Sequence, residues 1–169
     1  LMKIPRKIEY YSSMMKKDHY KTSGVLHVKS LDVQVTERCS LKCKNCCNLM
    51  QYYERPMNIS FDTLFLSLDR FVKSIDKIDE FRLIGGDPFM NKELYKAVNK
   101  SKEYDKIKKV VIYTNAKIIP KGENLECLKD KKVILDISNY GGDLANKHKE
   151  ILEVLEKNNI EYSYSNVTD

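Results

Sequence analysis

Short apolar–polar alternations and longer helical stripes take turns along this chain, and that alternation is what most limits its fold. In Ser30-Leu-Asp-Val-Gln-Val-Thr36, the residues Leu31, Val33 and Val35 alternate with polar neighbours, the period of a half-buried strand. Residues 60–75 then set Phe61, Leu64, Phe65, Leu68, Phe71, Val72 and Ile75 on one helical face, with Ser60 placed to cap it. Glu80-Phe-Arg-Leu-Ile84 reads as a second strand, ending at two glycines. Asn91 can cap a helix running to Tyr104, whose stripe is Leu94, Ala97, Val98 and Ser101. A third strand spans 109–114 and a fourth 132–137, separated by a turn at Pro120 and Gly122 and a short helix over 123–130. A last helix over 144–157 carries Leu144, His148, Ile151, Leu152 and Leu155, and Ile160, Tyr162 and Tyr164 alternate in a fifth strand. Strand–helix alternation with short loops predicts an α/β chain of parallel strands joined by right-handed crossovers. Five strands are too few for an eight-stranded barrel of about 250 residues, so an open sheet or a partial barrel is expected. Either one gathers its chemistry beyond the carboxyl ends of the strands.

A length of 169 residues predicts one main unit, read here as residues 31–169, preceded by a basic, Tyr- and Met-rich extension over residues 1–30. A formal charge of +6 comes from lysines scattered over helices and turns, the pattern of a solvated face rather than a nucleic-acid site. Apolar runs fall short of the roughly 18 residues a membrane span needs, and the first 20 residues hold no apolar signal core. A cytoplasmic chain without a membrane partner is expected.

Four of the five cysteines, Cys39, Cys43, Cys46 and Cys47, fall within nine residues directly after the first strand. In a reducing compartment such crowding points to metal ligation or catalysis rather than a disulfide framework. Cys47 adjoins Cys46, a poor geometry for ligating one ion, and Cys127 lies on a distant helix. A structural zinc takes four protein ligands. Three thiolates without an evident fourth suit an iron–sulphur cluster with one iron left open, and zinc remains the alternative. Gly85-Gly-Asp-Pro88 follows the second strand, Thr114-Asn115 ends the third, and Ser138-Asn-Tyr-Gly141 follows the fourth. A glycine pair at a strand end lets backbone approach a ligand, though it also suits an ordinary turn.

CxxxCxxC after the first strand and Gly-Gly-acid-Pro after the second resemble the radical S-adenosylmethionine (radical SAM) superfamily over roughly residues 31–165. The resemblance implies a (β/α)6 partial barrel, here with candidates for about five strands, so a trimmed form or a piece of a longer protein is expected. It implies a 4Fe–4S cluster on Cys39, Cys43 and Cys46, with S-adenosyl-L-methionine chelating the open iron. One-electron cleavage of the S–C5′ bond would give methionine and a 5′-deoxyadenosyl radical that takes hydrogen from a substrate. By the same resemblance Gly85, Gly86 and Asp87 would bond the methionyl ammonium, Ser138 the methionyl portion, and Asn45 would lie near the adenine. Thr114 and Arg82 match substrate-side positions of some members.

The sequence departs from the family pattern in places. Asp87 stands where Glu is usual, and Asn45 where an aromatic is common. Cys47 is expected to be a buried or spare thiol. His148 is expected in the core or at its boundary, His19 and His27 show no partner pattern, and Asp136 is a candidate for the inner face. No residue is assigned to the hydrogen-transfer step. The target is left as a small molecule or peptide, and a low-potential donor such as flavodoxin or ferredoxin is the expected electron source. A non-catalytic, metal-stabilised interaction or electron-transfer module is the competing reading.

Overall fold

The computed structural model describes residues 24–166 of the chain, so His19 and most of the expected N-terminal extension lie outside the described residues. Five strands form one parallel sheet in chain order: β1 (His27–Thr36), β2 (Lys77–Gly85), β3 (Ile107–Thr114), β4 (Val133–Asn139) and β5 (Tyr162–Asn166). Helices α1 (Phe61–Lys73), α2 (Leu94–Lys102), α3 (Glu123–Glu126) and α4 (His148–Lys157) stand in the four connections. This is an α/β sheet of the partial-barrel type.

The register aligns Leu31 with Phe81, Phe81 with Val110 and Val110 with Val133. Successive side chains on a strand face opposite ways, so this row and the row two residues on fill one face. Phe81, Leu83, Ile112, Leu135 and Ile137 are fully buried there. Against them lie Leu64, Leu68 and Val72 of α1, Leu94, Ala97 and Val98 of α2, and Ile151 and Leu155 of α4, all in one core. Burying a Leu- or Phe-sized side chain contributes about 1.5–3 kcal/mol, so this shared core holds helices that could not persist alone. Ser60 caps α1 as expected, accepting from the Thr63 N–H.

The opposite parity carries polar residues. Asp32 aligns with Arg82, and Tyr113 with Asp136, which in turn aligns with Ser163. Asp136 therefore does belong to the inner face, where it accepts from the Ser163 hydroxyl at 2.8 Å.

Three expectations need correction. The sheet begins before residue 31: His27 and Val28 pair with Lys77 and Ile78, and the Leu26 N–H donates to Asp76 Oδ2 at 2.7 Å. His27 also has a partner, Asp79 Oδ2 at 2.6 Å, which alternation within one strand could not reveal. The predicted last helix is two pieces, a 3-10 turn over Gly142–Ala145 and then α4, and Leu144 is 40% exposed. Gly141 and Gly142 both take positive φ where the chain enters the 3-10 turn, and the α-helix starts only at His148, after Lys147 at φ −102°.

Candidate active site

The carboxyl ends of β1 to β4 surround one cavity of about 500 Å³. Its wall includes Cys39, Cys43, Cys46, Asn45, Gly85, Gly86, Thr114 and Ser138, so the structure brings together residues that lie almost 100 positions apart in the chain. Cys39, Cys43 and Cys46 are half-buried, and none of the five cysteines forms a disulfide. Among the described residues no three His, Cys, Asp or Glu side chains are set closely enough to hold a single metal ion. Burial pushes the Cys39 thiol up; the Leu41 N–H opposes this, and Asp87, Cys43 and Cys46 add to it. A thiolate there would be stabilised by a cation beside it, and soft thiolate donors suit an iron–sulphur cluster.

The glycines serve the chain's own packing. A Cβ on Gly85 would strike the Thr36 carbonyl, and one on Gly86 would strike the Arg38 carbonyl and come within 2.7 Å of the Cys39 Cβ. The Gly86 N–H donates to Thr36 O at 3.0 Å and the Asp87 N–H to Arg38 O at 2.8 Å. The end of β2 is thus zipped onto the start of the cysteine loop, closer than any side chain allows. The Gly85 carbonyl accepts from the Asn48 amide at 3.2 Å.

Asp87 does not line the cavity. It is fully buried, with Oδ1 accepting from the Phe89 N–H at 3.0 Å and Oδ2 from the Thr114 hydroxyl at 2.8 Å and the Asn115 N–H at 3.1 Å. Burial drives its carboxyl up, against these three bonds. Being one methylene shorter than Glu, it is satisfied within the protein. Through these bonds Asp87 joins β2 to β3.

Arg82 faces the cavity, and its charge is shared. Its Nε and Nη2 donate to Glu80 Oε2 at 2.8 and 2.6 Å, Asp32 lies 3.8 Å away, and the Tyr113 ring centroid is 5.9 Å from the guanidinium carbon. Cys47 lines the cavity as well, and it is exposed rather than buried. Sequence reading missed Asp32, Tyr113 and Asn48; parity with Arg82 would have found Asp32 once the register was known. Tyr140 stands beside the four loop cysteines, with burial pushing its hydroxyl up and their charges adding to it. His148 is core, as expected, and its ring joins Tyr164 Oη at 2.8 Å to the Asn115 carbonyl at 3.1 Å.

The sequence profile of the radical SAM superfamily matches residues 33–168. The chain belongs to this family. Radical SAM proteins use a 4Fe–4S cluster and S-adenosylmethionine. Among curated radical SAM relatives, the GTP 3',8-cyclase of Clostridium acetobutylicum is 28% identical over 123 residues, covering 72% of this chain and 38% of that protein. That of Campylobacter lari is 28% identical over 130 residues, covering 73% and 39%. The chain thus spans about two-fifths of the length of these relatives. Among solved structures, anSMEcpe with bound AdoMet matches with a TM-score of 0.64 at 18% identity, over 83% of this chain and 42% of that one. BtrN in complex with AdoMet and 2-DOIA matches at 0.60 and 17%, over 82% and 56%. Likeness at such identities speaks for the radical SAM fold. No described helix is long and apolar enough to cross a membrane.

Proposed function

We propose that this chain is the core of a radical SAM enzyme, holding a 4Fe–4S cluster on Cys39, Cys43 and Cys46 and binding S-adenosylmethionine beside it. The observation that supports this reading is the shared cavity, which has the three cysteines, the glycine pair and Ser138 on its wall. When bound, these groups supply one-electron cleavage of the sulphonium and a 5′-deoxyadenosyl radical that removes hydrogen from a substrate.

The chain's own residues orient and enclose. Zipping Gly86 and Asp87 to the cysteine loop fixes the distance between the loop and the end of β2. Ser138 and Asn45 offer polar groups toward the methionyl and adenosyl portions, and Asn48 holds the Gly85 carbonyl. Tyr140 closes part of the rim over the thiols. Fixed placement turns a bimolecular encounter into an intramolecular step. The electron would come from a low-potential donor such as flavodoxin or ferredoxin.

The substrate would meet the inner wall around Asp32, Arg82 and Tyr113. Arg82 is the one cation among the described lining residues, and Glu80 and Asp32 already neutralise it. A polyphosphate such as GTP, in the name of the curated relatives, finds no uncompensated charge there, so that substrate is not carried over. A small molecule or peptide with hydroxyl or cationic groups fits this wall better.

Anaerobic reconstitution with iron and sulphide, followed by dithionite and S-adenosylmethionine, tests the reading. Equal amounts of methionine and 5′-deoxyadenosine are expected. Tight zinc binding without either product would overturn it in favour of a metal-stabilised module.

A further inference from the structure

Asn115 has every polar group engaged, and one of them points at sulphur. Its backbone N–H donates to Asp87 Oδ2 at 3.1 Å, and its carbonyl lies 3.1 Å from His148 Nε2. Its Oδ1 accepts from the Lys117 N–H at 3.0 Å and the Ser40 hydroxyl at 3.3 Å. The remaining group, Nδ2, donates to Cys39 Sγ at 3.6 Å. The residue is 7% exposed. Oδ1 faces two donors, so the amide cannot flip without setting its NH2 against them, and Nδ2 is held toward the thiol.

His148 completes the clamp. A carbonyl only accepts, so Nε2 donates to the Asn115 carbonyl, and Nδ1 lies 2.8 Å from the Tyr164 hydroxyl. Through this ring α4 and β5 hold the backbone of Asn115 in place.

We infer that Asn115 is a positioning residue that donates an N–H···S hydrogen bond to the Cys39 ligand and thereby sets the reduction potential of the cluster. This rests on the proposed cluster site. Reduction adds one electron, from dithionite or a protein donor, and spreads negative charge onto the cluster and its cysteine sulphurs. A donor aimed at one of those sulphurs stabilises the reduced form more than the oxidised one and raises the potential. Asp87 and His148 keep the donor in place through both states.

Anaerobic potentiometric titration of the reconstituted chain, read by the electron paramagnetic resonance of the reduced cluster, tests this. Asn115→Leu is expected to bind iron as the native chain does and to have a lower midpoint. At the potential where the native cluster is half reduced, the variant should be clearly less than half reduced. His148→Leu, which keeps the amide but frees its backbone, should shift the midpoint the same way by less. Native iron content with an unmoved midpoint in Asn115→Leu overturns the inference and leaves Asn115 a merely structural residue. Should the leucine variant not take up iron, Asn115→Ala, which also lacks a side-chain donor, gives the same readout, and an unmoved midpoint there overturns it equally. Failure of the native chain to take up a cluster overturns the proposed function itself, which separates the two.

Discussion

Asp87 Oδ2 and the Thr114 hydroxyl lie 2.8 Å apart at a position closed to solvent, tying the end of β2 to the end of β3. With the Asn115 N–H on the same oxygen, the carboxylate becomes a brace beneath the cavity floor. Asp87→Asn turns an NH2 group toward donors that need an acceptor. A loss of about 2 kcal/mol is expected, since orphaning a buried donor costs roughly 1–3 kcal/mol. Urea unfolding at neutral pH measures it; a loss within experimental error would mean the site relaxes.

The same carboxyl makes stability depend on pH. Burial raises it above its ordinary 3.8 in the folded chain. The folded state therefore holds the proton more tightly, and this contribution is fully present below 3.8 and lost as pH rises through the raised value. The advantage of the native chain over Asp87→Asn should accordingly shrink as pH rises above the ordinary 3.8. Paired unfolding curves across that range check it, and an advantage that grows with pH would show a carboxyl held low instead.

Gly86→Ala places a Cβ against the Arg38 carbonyl and within 2.7 Å of the Cys39 Cβ. Backbone cannot yield as a flexible side-chain tip does, so the β2 end and the cysteine loop must separate. Destabilisation of about 1–3 kcal/mol is expected. Iron uptake should fall further than helical content, as measured by iron analysis beside circular dichroism. Native iron content in this variant would show the zipper is dispensable.

Cys43→Ala should lose both the cluster and all deoxyadenosine, whereas Cys47→Ala should keep its iron, because Cys47 is the exposed thiol of the loop. Cys127, buried and pushed up to about 11, should resist iodoacetamide at pH 8 while Cys47 reacts. Iron analysis and mass spectrometry of the labelled chain read these outcomes.

Glu80→Gln removes the stronger of the two acidic partners of Arg82. These side chains are partly exposed, so the stability change should stay below about 1 kcal/mol. The freed guanidinium should bind inorganic tripolyphosphate several-fold more tightly than the native chain, and Glu80→Gln with Arg82→Gln should lose the gain. Calorimetry at fixed ionic strength decides it.

Local pattern made most of the fold legible. The stripes in α1 and α2 and the strands at Val33, Phe81 and Val110 read correctly because their apolar periods match the geometry of the elements they form. The pattern misled at Leu144, which lies in a 3-10 turn ahead of α4 although the stripe looks continuous in sequence. It also placed the first strand late, since Leu26, His27 and Val28 are held by Asp76, Asp79 and Ile78 respectively, some 50 residues further on.

By itself the sequence determined the parallel order of helices and strands, the three-cysteine loop and the glycine pair, because each is written in spacing over a few residues. Only the tertiary structure decided that Asp87 turns inward to Thr114, that Glu80 and Asp32 neutralise Arg82, and that Asn115 aims its amide at Cys39. Those facts depend on which side chains the parallel register sets side by side at the ends of different strands, and on the low-dielectric interior that makes each buried donor and acceptor find a partner.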